Sequence, residues 1–238
     1  MNPFDLHTIH FLNSFAQRSW VFDSLIGQLE GTDLLKGGVI MALFWWAWIR
    51  YGNAHPENKE KLLFGLISGV VATFLARVLA LMLPFRVRPL HNLQLHFRLP
   101  YGSDPNTLVG WSSFPSDHAA LFFCLAVSLW IVSRRLGCFA LWYTLLVICL
   151  PRIYLGFHYP TDIIGGALLG TGVAFLSKAT RFRRIVTLPA LYWLDEHPAS
   201  CYSFLFLCTF EIAELFGSLR HIGLSGYHDV ERVLQAIR

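Results

Sequence analysis

Six stretches of this chain, at 33–51, 61–85, 114–135, 138–152, 160–180 and 198–219, are apolar enough to lie within a bilayer. Most approach the roughly 20 residues that cross ~30 Å of hydrocarbon as a helix, and the short fourth stretch is expected to extend by a few. Lipid offers no partner to an open backbone, so such stretches fold as helices that satisfy their own amides. The pattern predicts an all-α protein, a six-transmembrane helical bundle. Its single domain covers 1–238, with an interfacial segment at 1–30, a core at 33–219 and a tail at 220–238. Composition agrees: 55% of residues are hydrophobic and 14% charged, against about a quarter charged in soluble domains.

Outside the six stretches the apolar residues are spaced for surfaces. Phe4, Ile9, Phe11, Leu12, Phe15, Trp20, Phe22, Leu25 and Ile26 predict one or two amphipathic helices lying along the membrane. Tyr227, Val230, Leu234 and Ile237 predict another in the tail. The first thirty residues carry Asp5 and Asp23 and lack a basic start followed by an apolar run, so no secretory signal is expected. Trp45, Trp46 and Trp48 read as an interfacial belt.

Placement of Lys and Arg sets orientation. Arg50, Lys59, Lys61, Arg134, Arg135, Lys178, Arg181, Arg183 and Arg184 fall in short connections on one side, which is expected to be cytoplasmic. Both termini then lie outside. The opposite connections hold Arg86, Arg88 and Arg98, with Arg152 at the rim, and these read as ligands rather than topology signals. Five cysteines without metal-ligand spacing read as small apolar residues. Basic residues scattered over helix ends exclude a nucleic-acid footprint.

The outer face gathers the polar groups. Phe114-Pro115-Ser116-Asp117-His118 opens the third span, with Pro115 predicted at the first helical position and the next three residues in the first turn. Tyr159-Pro160-Thr161-Asp162 repeats the arrangement at the fifth span, directly after His158. Two helix N-termini converging on one anion follow from this reading. For phosphoryl chemistry, His158 has the features of a nucleophile oriented by Asp162 four residues on. His118 suits a general acid. Arg88 and Arg152 offer planar guanidinium forks for the nonbridging oxygens. No metal or other cofactor is expected, because the face lacks a cluster of acidic residues. Each residue alone also fits a helix cap or an interfacial anchor; the conjunction is what points to chemistry.

Arg88-Pro89, Pro115-Ser116-Asp117-His118 and Arg152-x5-His158-x3-Asp162 resemble the three motifs of the type 2 phosphatidic acid phosphatase superfamily of membrane lipid phosphatases. The resemblance covers roughly 33–184. It implies a phosphohistidine intermediate on His158, acid–base work by His118, orientation by Asp162, and phosphate binding by Arg88, Arg152, Ser116 and Asp117 with the adjoining amides. It also implies a multi-pass protein of the inner (cytoplasmic) membrane whose site faces the periplasm or exterior. Three positions depart from the pattern: Leu81 stands where the family has a lysine, Pro151 where it has serine, and Asp117 where it has glycine. Aspartate at 117 is similar to bacterial undecaprenyl-diphosphate phosphatases.

The missing lysine draws attention to Arg77, deep in the second span and in need of a partner. One expectation is a structural pair with Glu211 or Glu214. The other is an accessory role at the site, shared with Arg86, in which Arg77 replaces the lysine. Pro84 is expected to bend this helix end, and Gly165, Gly166, Gly170 and Gly172 to give span five a close-packing face. The loop 86–113, with Arg98, Tyr101 and Trp111, reads as a cap on the site or as plain surface. The expected partner is a membrane lipid, with no obligate protein partner and no nucleic acid. Hydrolysis of undecaprenyl diphosphate leads; phosphatidate, phosphatidylglycerophosphate and lipid A phosphates stay open, as do a headgroup-binding protein without turnover and a haem or quinone carrier.

Overall fold

A computed structural model describes residues 2–218, so the predicted tail helix lies outside the described residues. Among them the regular structure is entirely helical: α1 (Pro3–Asn13), α2 (Trp20–Gly31), α3 (Val39–Ala47), α4 (Pro56–Met82), α5 (Asp117–Val132), α6 (Arg134–Tyr143), α7 (Leu150–Tyr154), α8 (Pro160–Phe175), α9 (Thr180–Glu196) and α10 (Pro198–Ala213). Turns of π-helix at Leu34–Gly38 and Trp48–Gly52 flank α3, and another at Thr144–Cys149 joins α6 to α7.

Three helices, Pro56–Met82, Arg134–Tyr154 and Pro160–Lys178, have the length and hydropathy to cross a membrane, while Asp117–Val132 and Pro198–Ala213 are shorter apolar helices. Phe74, Trp142, Leu168 and Phe206 are each more than half exposed on their outer faces. So much apolar side chain left uncovered suits lipid rather than water. The protein is a multi-pass membrane protein.

Helix α5 is the axis of the bundle, packed by α4, α6 and α8 and touched by α3. Its run from Ala119 to Leu129 is buried on nearly every side. The small-residue face of α8 meets it as expected: a Cβ on Gly170 would lie 2.1 Å from the Ala120 carbonyl oxygen, and one on Gly166 2.3 Å from that of Ser116. Gly165 faces the Phe114 ring, whereas Gly172 faces open space.

Several boundaries differ from the sequence reading. Helix α4 begins at Pro56 and ends at Met82, and Leu83 is extended because it precedes Pro84. Pro84 therefore ends the helix instead of bending it. The fourth span lengthens to 134–154, and the wider π turn before Pro151 accommodates a residue that cannot donate its amide. Helix α9 is an addition. Arg183, Thr187 and Leu194 recur at helical spacing on its buried face, a period hidden by reading the basic residues only as topology signals. Arg183 lies 3.4 Å from Glu60 and donates to the Ser177 carbonyl at 2.6 Å. Of the three tryptophans expected in an interfacial belt, Trp46 is exposed, whereas the Trp45 and Trp48 indole N–H groups donate to Thr209 (3.2 Å) and Tyr202 (3.4 Å), tying the first span to α10.

The N-terminal segment is helical as predicted, yet it is docked rather than peripheral. Asp5 and Asp23 are fully buried, α1 packs on α7 and α8, and α2 packs on α7. Asp23 accepts the backbone N–H of Gln17 (3.0 Å) and Tyr101 (2.9 Å) and the hydroxyl of Tyr154. This anchor binds the segment to the loop 86–113.

Candidate active site

Two helix starts meet at the site. Ser116 is the N-cap of α5, after a cis Phe114–Pro115 peptide, and its hydroxyl accepts the Ala119 N–H at 3.3 Å. Pro115 therefore precedes the helix, and Asp117 and His118 are its first two residues. The Ser116 N–H donates to the Asp162 carbonyl at 3.1 Å, which fixes α5 against the start of α8. There Pro160 opens the helix as expected, and the Asp162 carboxylate accepts the Tyr159 N–H at 2.7 Å.

His158 is buried between these starts. Its Nδ1 lies 2.8 Å from the Ser113 carbonyl oxygen and 3.7 Å from Asp162 Oδ2. A carbonyl only accepts, so Nδ1 carries the proton and Nε2 presents its lone pair. Nε2 lies 3.5 Å from Arg88 Nη1. Asp162 is beyond direct hydrogen-bond reach and acts on the ring through its charge. Burial pushes the His158 pKa below its ordinary value, Asp162 opposes this, and Arg152 and Arg88 reinforce it. The imidazole is neutral near pH 7.

Arg88 is held by three backbone carbonyls, those of Phe157 (2.6 Å), Ser112 (3.0 Å) and Trp111 (3.1 Å). Burial, with Arg152 nearby, lowers its pKa to about 10, so it stays charged. A cavity of about 420 Å³ opens in front, lined among others by Arg77, Leu81, Arg88, Trp111, Asp117 and His158. Trp111 belongs to the loop 86–113, which thus borders the site.

Asp117 holds His118 on one side and Arg77 on the other. Its Oδ1 lies 2.9 Å from His118 Nδ1, and its Oδ2 accepts from Arg77 Nε at 3.4 Å. The expected Arg77 pair with Glu211 or Glu214 is thereby corrected. Glu211 sits on α10 and Glu214 just past its end, and α10 packs on α9 and the first span, whereas α4 packs on α5. Arg77 Nη2 is buried without a hydrogen-bond partner among the described residues.

The remaining cations are turned to carboxylates, of which Glu30 and Asp5 were left out of the site by the sequence reading. Arg152 Nη1 donates to Glu30 at 2.5 Å, while its Nε is buried without a hydrogen-bond partner among the described residues. Arg86 lies 4.3 Å over the Tyr159 ring and donates to Asp162 Oδ1 (2.5 Å), Asp5 Oδ2 (2.7 Å) and the Thr161 hydroxyl (2.9 Å). Asp5 also accepts the Thr161 N–H at 3.0 Å and its hydroxyl at 2.7 Å. At the start of α8 the Thr161 N–H is thus met by Asp5, the Asp162 N–H by the Tyr159 carbonyl and the Tyr159 N–H by the Asp162 carboxylate, and the expected second anion cradle is filled from within. An acidic residue on an otherwise apolar helical face was the available signal for Asp5. Nothing local marked Glu30 or the Ser113 carbonyl.

Residues 60–185, just over half of the chain, match the PAP2 superfamily. The chain belongs to that family. It is accordingly a phosphoric ester hydrolase of the lipid phosphatase type. It is similar to the undecaprenyl-diphosphatase BcrC of Bacillus subtilis, 22% identical over 69% of this chain and 78% of the relative. The lipid A 1-diphosphate synthase of Escherichia coli is 25% identical over 70% of this chain and 71% of its own length. An undecaprenyl-diphosphatase of Sulfolobus acidocaldarius is 35% identical over 27% of this chain and 32% of the relative. No solved structure matches.

Proposed function

We propose that this PAP2 protein hydrolyses a polyprenyl diphosphate, with undecaprenyl diphosphate the leading substrate, at the outer face of a six-span bundle in the cytoplasmic membrane. The observation that carries this reading is the His158 tautomer: the Ser113 carbonyl holds Nδ1–H, leaving a neutral Nε2 beside Arg88 at the cavity. Similarity to two undecaprenyl-diphosphatases supports the substrate class. Six spans follow if the shorter apolar helices and the first span cross with the three long ones.

In the reaction, Nε2 attacks the terminal phosphorus and the bridging P–O bond breaks. His118 gives its proton to the departing lipid monophosphate. Water, deprotonated by His118, then attacks the phosphohistidine, and inorganic phosphate leaves with His158 restored. Asp162 stabilises the positive ring of the intermediate across 3.7 Å. Arg88 and Arg152 receive the nonbridging oxygens, Glu30 yielding Arg152 when the anion arrives. Asp117 orients His118 and Arg77, and the Ser116 hydroxyl keeps the helix start in shape.

A phosphate-release panel in detergent tests this, with undecaprenyl diphosphate, phosphatidate, phosphatidylglycerophosphate and lipid A as substrates and His158→Ala as control. The diphosphate is expected to turn over fastest and the variant not at all. Release that survives His158→Ala removes the nucleophile assignment.

A further inference from the structure

Helix α1 lies outside the segment that carries the family match, 60–185. Nevertheless it sends a fully buried carboxylate into the group behind His158. We infer that Asp5 is a positioning residue of the active site, which through Arg86 holds Asp162 in place and keeps Asp162's negative charge available to His158. The inference rests on the reading of His158 as nucleophile.

The geometry is a chain of short contacts. One guanidinium nitrogen of Arg86 binds Asp5 at 2.7 Å and the other binds Asp162 at 2.5 Å. Asp162 in turn stands 3.7 Å from His158 Nδ1. An arginine paired with Asp162 alone would cancel the charge that the imidazolium-like intermediate needs. Asp5 supplies the second carboxylate, so the three groups together leave one negative charge behind the ring. Thr161, bonded to Asp5 through both its N–H and its hydroxyl, sets where that carboxylate sits. Asp5 is fully buried, where an interaction between charges is screened little.

His158 faces charged groups from several elements. Asp162 comes from α8, Arg88 from the loop, and Arg152, held by Glu30 of α2, from α7. Asp117, paired with His118, comes from α5 and borders the same cavity, as does Arg77 from α4. The arginines press the ring toward its neutral form, and Asp162 is the carboxylate set directly against them. Asp5 decides how much of Asp162 remains uncancelled. A helix that merely capped α8 would have no such electrical effect.

The test is a nitrogen NMR titration of His158 in the full chain in detergent, comparing wild type with Asp5→Asn and Asn2→Ala, alongside kcat and KM for a short-chain polyprenyl diphosphate. Asp5→Asn retains an acceptor for the Thr161 N–H and removes the charge. His158 is expected to titrate at lower pH than in wild type, because a nearby negative charge is gone. The expected loss is about tenfold in kcat with KM little changed, the lower end of what outer partners of metal-bound histidines are worth. Asn2→Ala removes the N-cap of α1, which accepts the Phe4 N–H at 2.9 Å, without touching the carboxylate. It should leave the titration where it was.

An unmoved titration in Asp5→Asn overturns the inference, as does an equal displacement in Asn2→Ala. Should Asp5→Asn not fold, Asp5→Glu decides: it keeps the charge and must titrate His158 as in wild type, and a lowered value overturns the inference. Because the titration needs no turnover, it stays informative even if phosphate release from His158→Ala removes the nucleophile reading.

Discussion

The His158 ring is oriented by the Ser113 carbonyl oxygen, 2.8 Å from Nδ1, and not by direct contact with the carboxylate of its own motif, which stands 3.7 Å away. Orientation and charge stabilisation are therefore supplied by different groups. The backbone fixes the tautomer, and Asp162 is held back by Tyr159 and Arg86 as a fixed negative charge.

This division sets the pH profile. In the proposed reaction neutral His158 attacks, and protonation would block it. Since burial lowers its pKa, kcat/KM should fall on acidification only below the ordinary imidazole range near ~6.5. An acid limb centred above that value in a pH series would contradict the burial argument.

Arg77 separates binding from stability. Its pair with Asp117 is partly exposed, side chains 32% and 24% accessible, so removing it should cost at most about 1 kcal/mol of stability. If Nη2, which has no hydrogen-bond partner among the described residues, receives a substrate oxygen, Arg77→Ala should lower kcat/KM by roughly 10–100-fold, the value of one charge-assisted hydrogen bond. Steady-state kinetics beside thermal unfolding distinguishes this from a purely structural role.

The contact of α8 with α5 should be intolerant of a single methyl. Gly170→Ala puts a Cβ 2.1 Å from the Ala120 carbonyl oxygen and is expected to destabilise by about 1–3 kcal/mol. Gly172→Ala meets nothing within 4 Å and should be close to neutral. Thermal unfolding of both in the same detergent gives the comparison.

Chelation should leave phosphate release intact, because in the proposed reaction Arg88, Arg77 and Arg152 supply the positive charge around the reacting phosphoryl group. Among the described residues no group of three or more histidine, cysteine, aspartate or glutamate side chains is placed to hold a metal ion. Loss of activity in EDTA that returns with a divalent cation would overturn this mechanism.

Local pattern alone carried much of this protein. Long apolar runs demand helices wherever they meet lipid, and Pro160 and Ser116 mark helix starts through their own chemistry, so the helices and the two starts that meet beside His158 were legible in order along the chain. The small face of α8 was legible for the same reason. What the sequence left open were the partners of its charges. Arg77 went to Asp117 rather than to α10, Arg152 to Glu30, and Arg86 to a carboxylate 81 residues away on a helix expected to lie on the surface. Sequence spacing determines which side chains share a helix face. Which cation meets which carboxylate is decided only when separate helices pack, because a buried charge takes the opposite charge that folding brings within reach, whatever its distance along the chain.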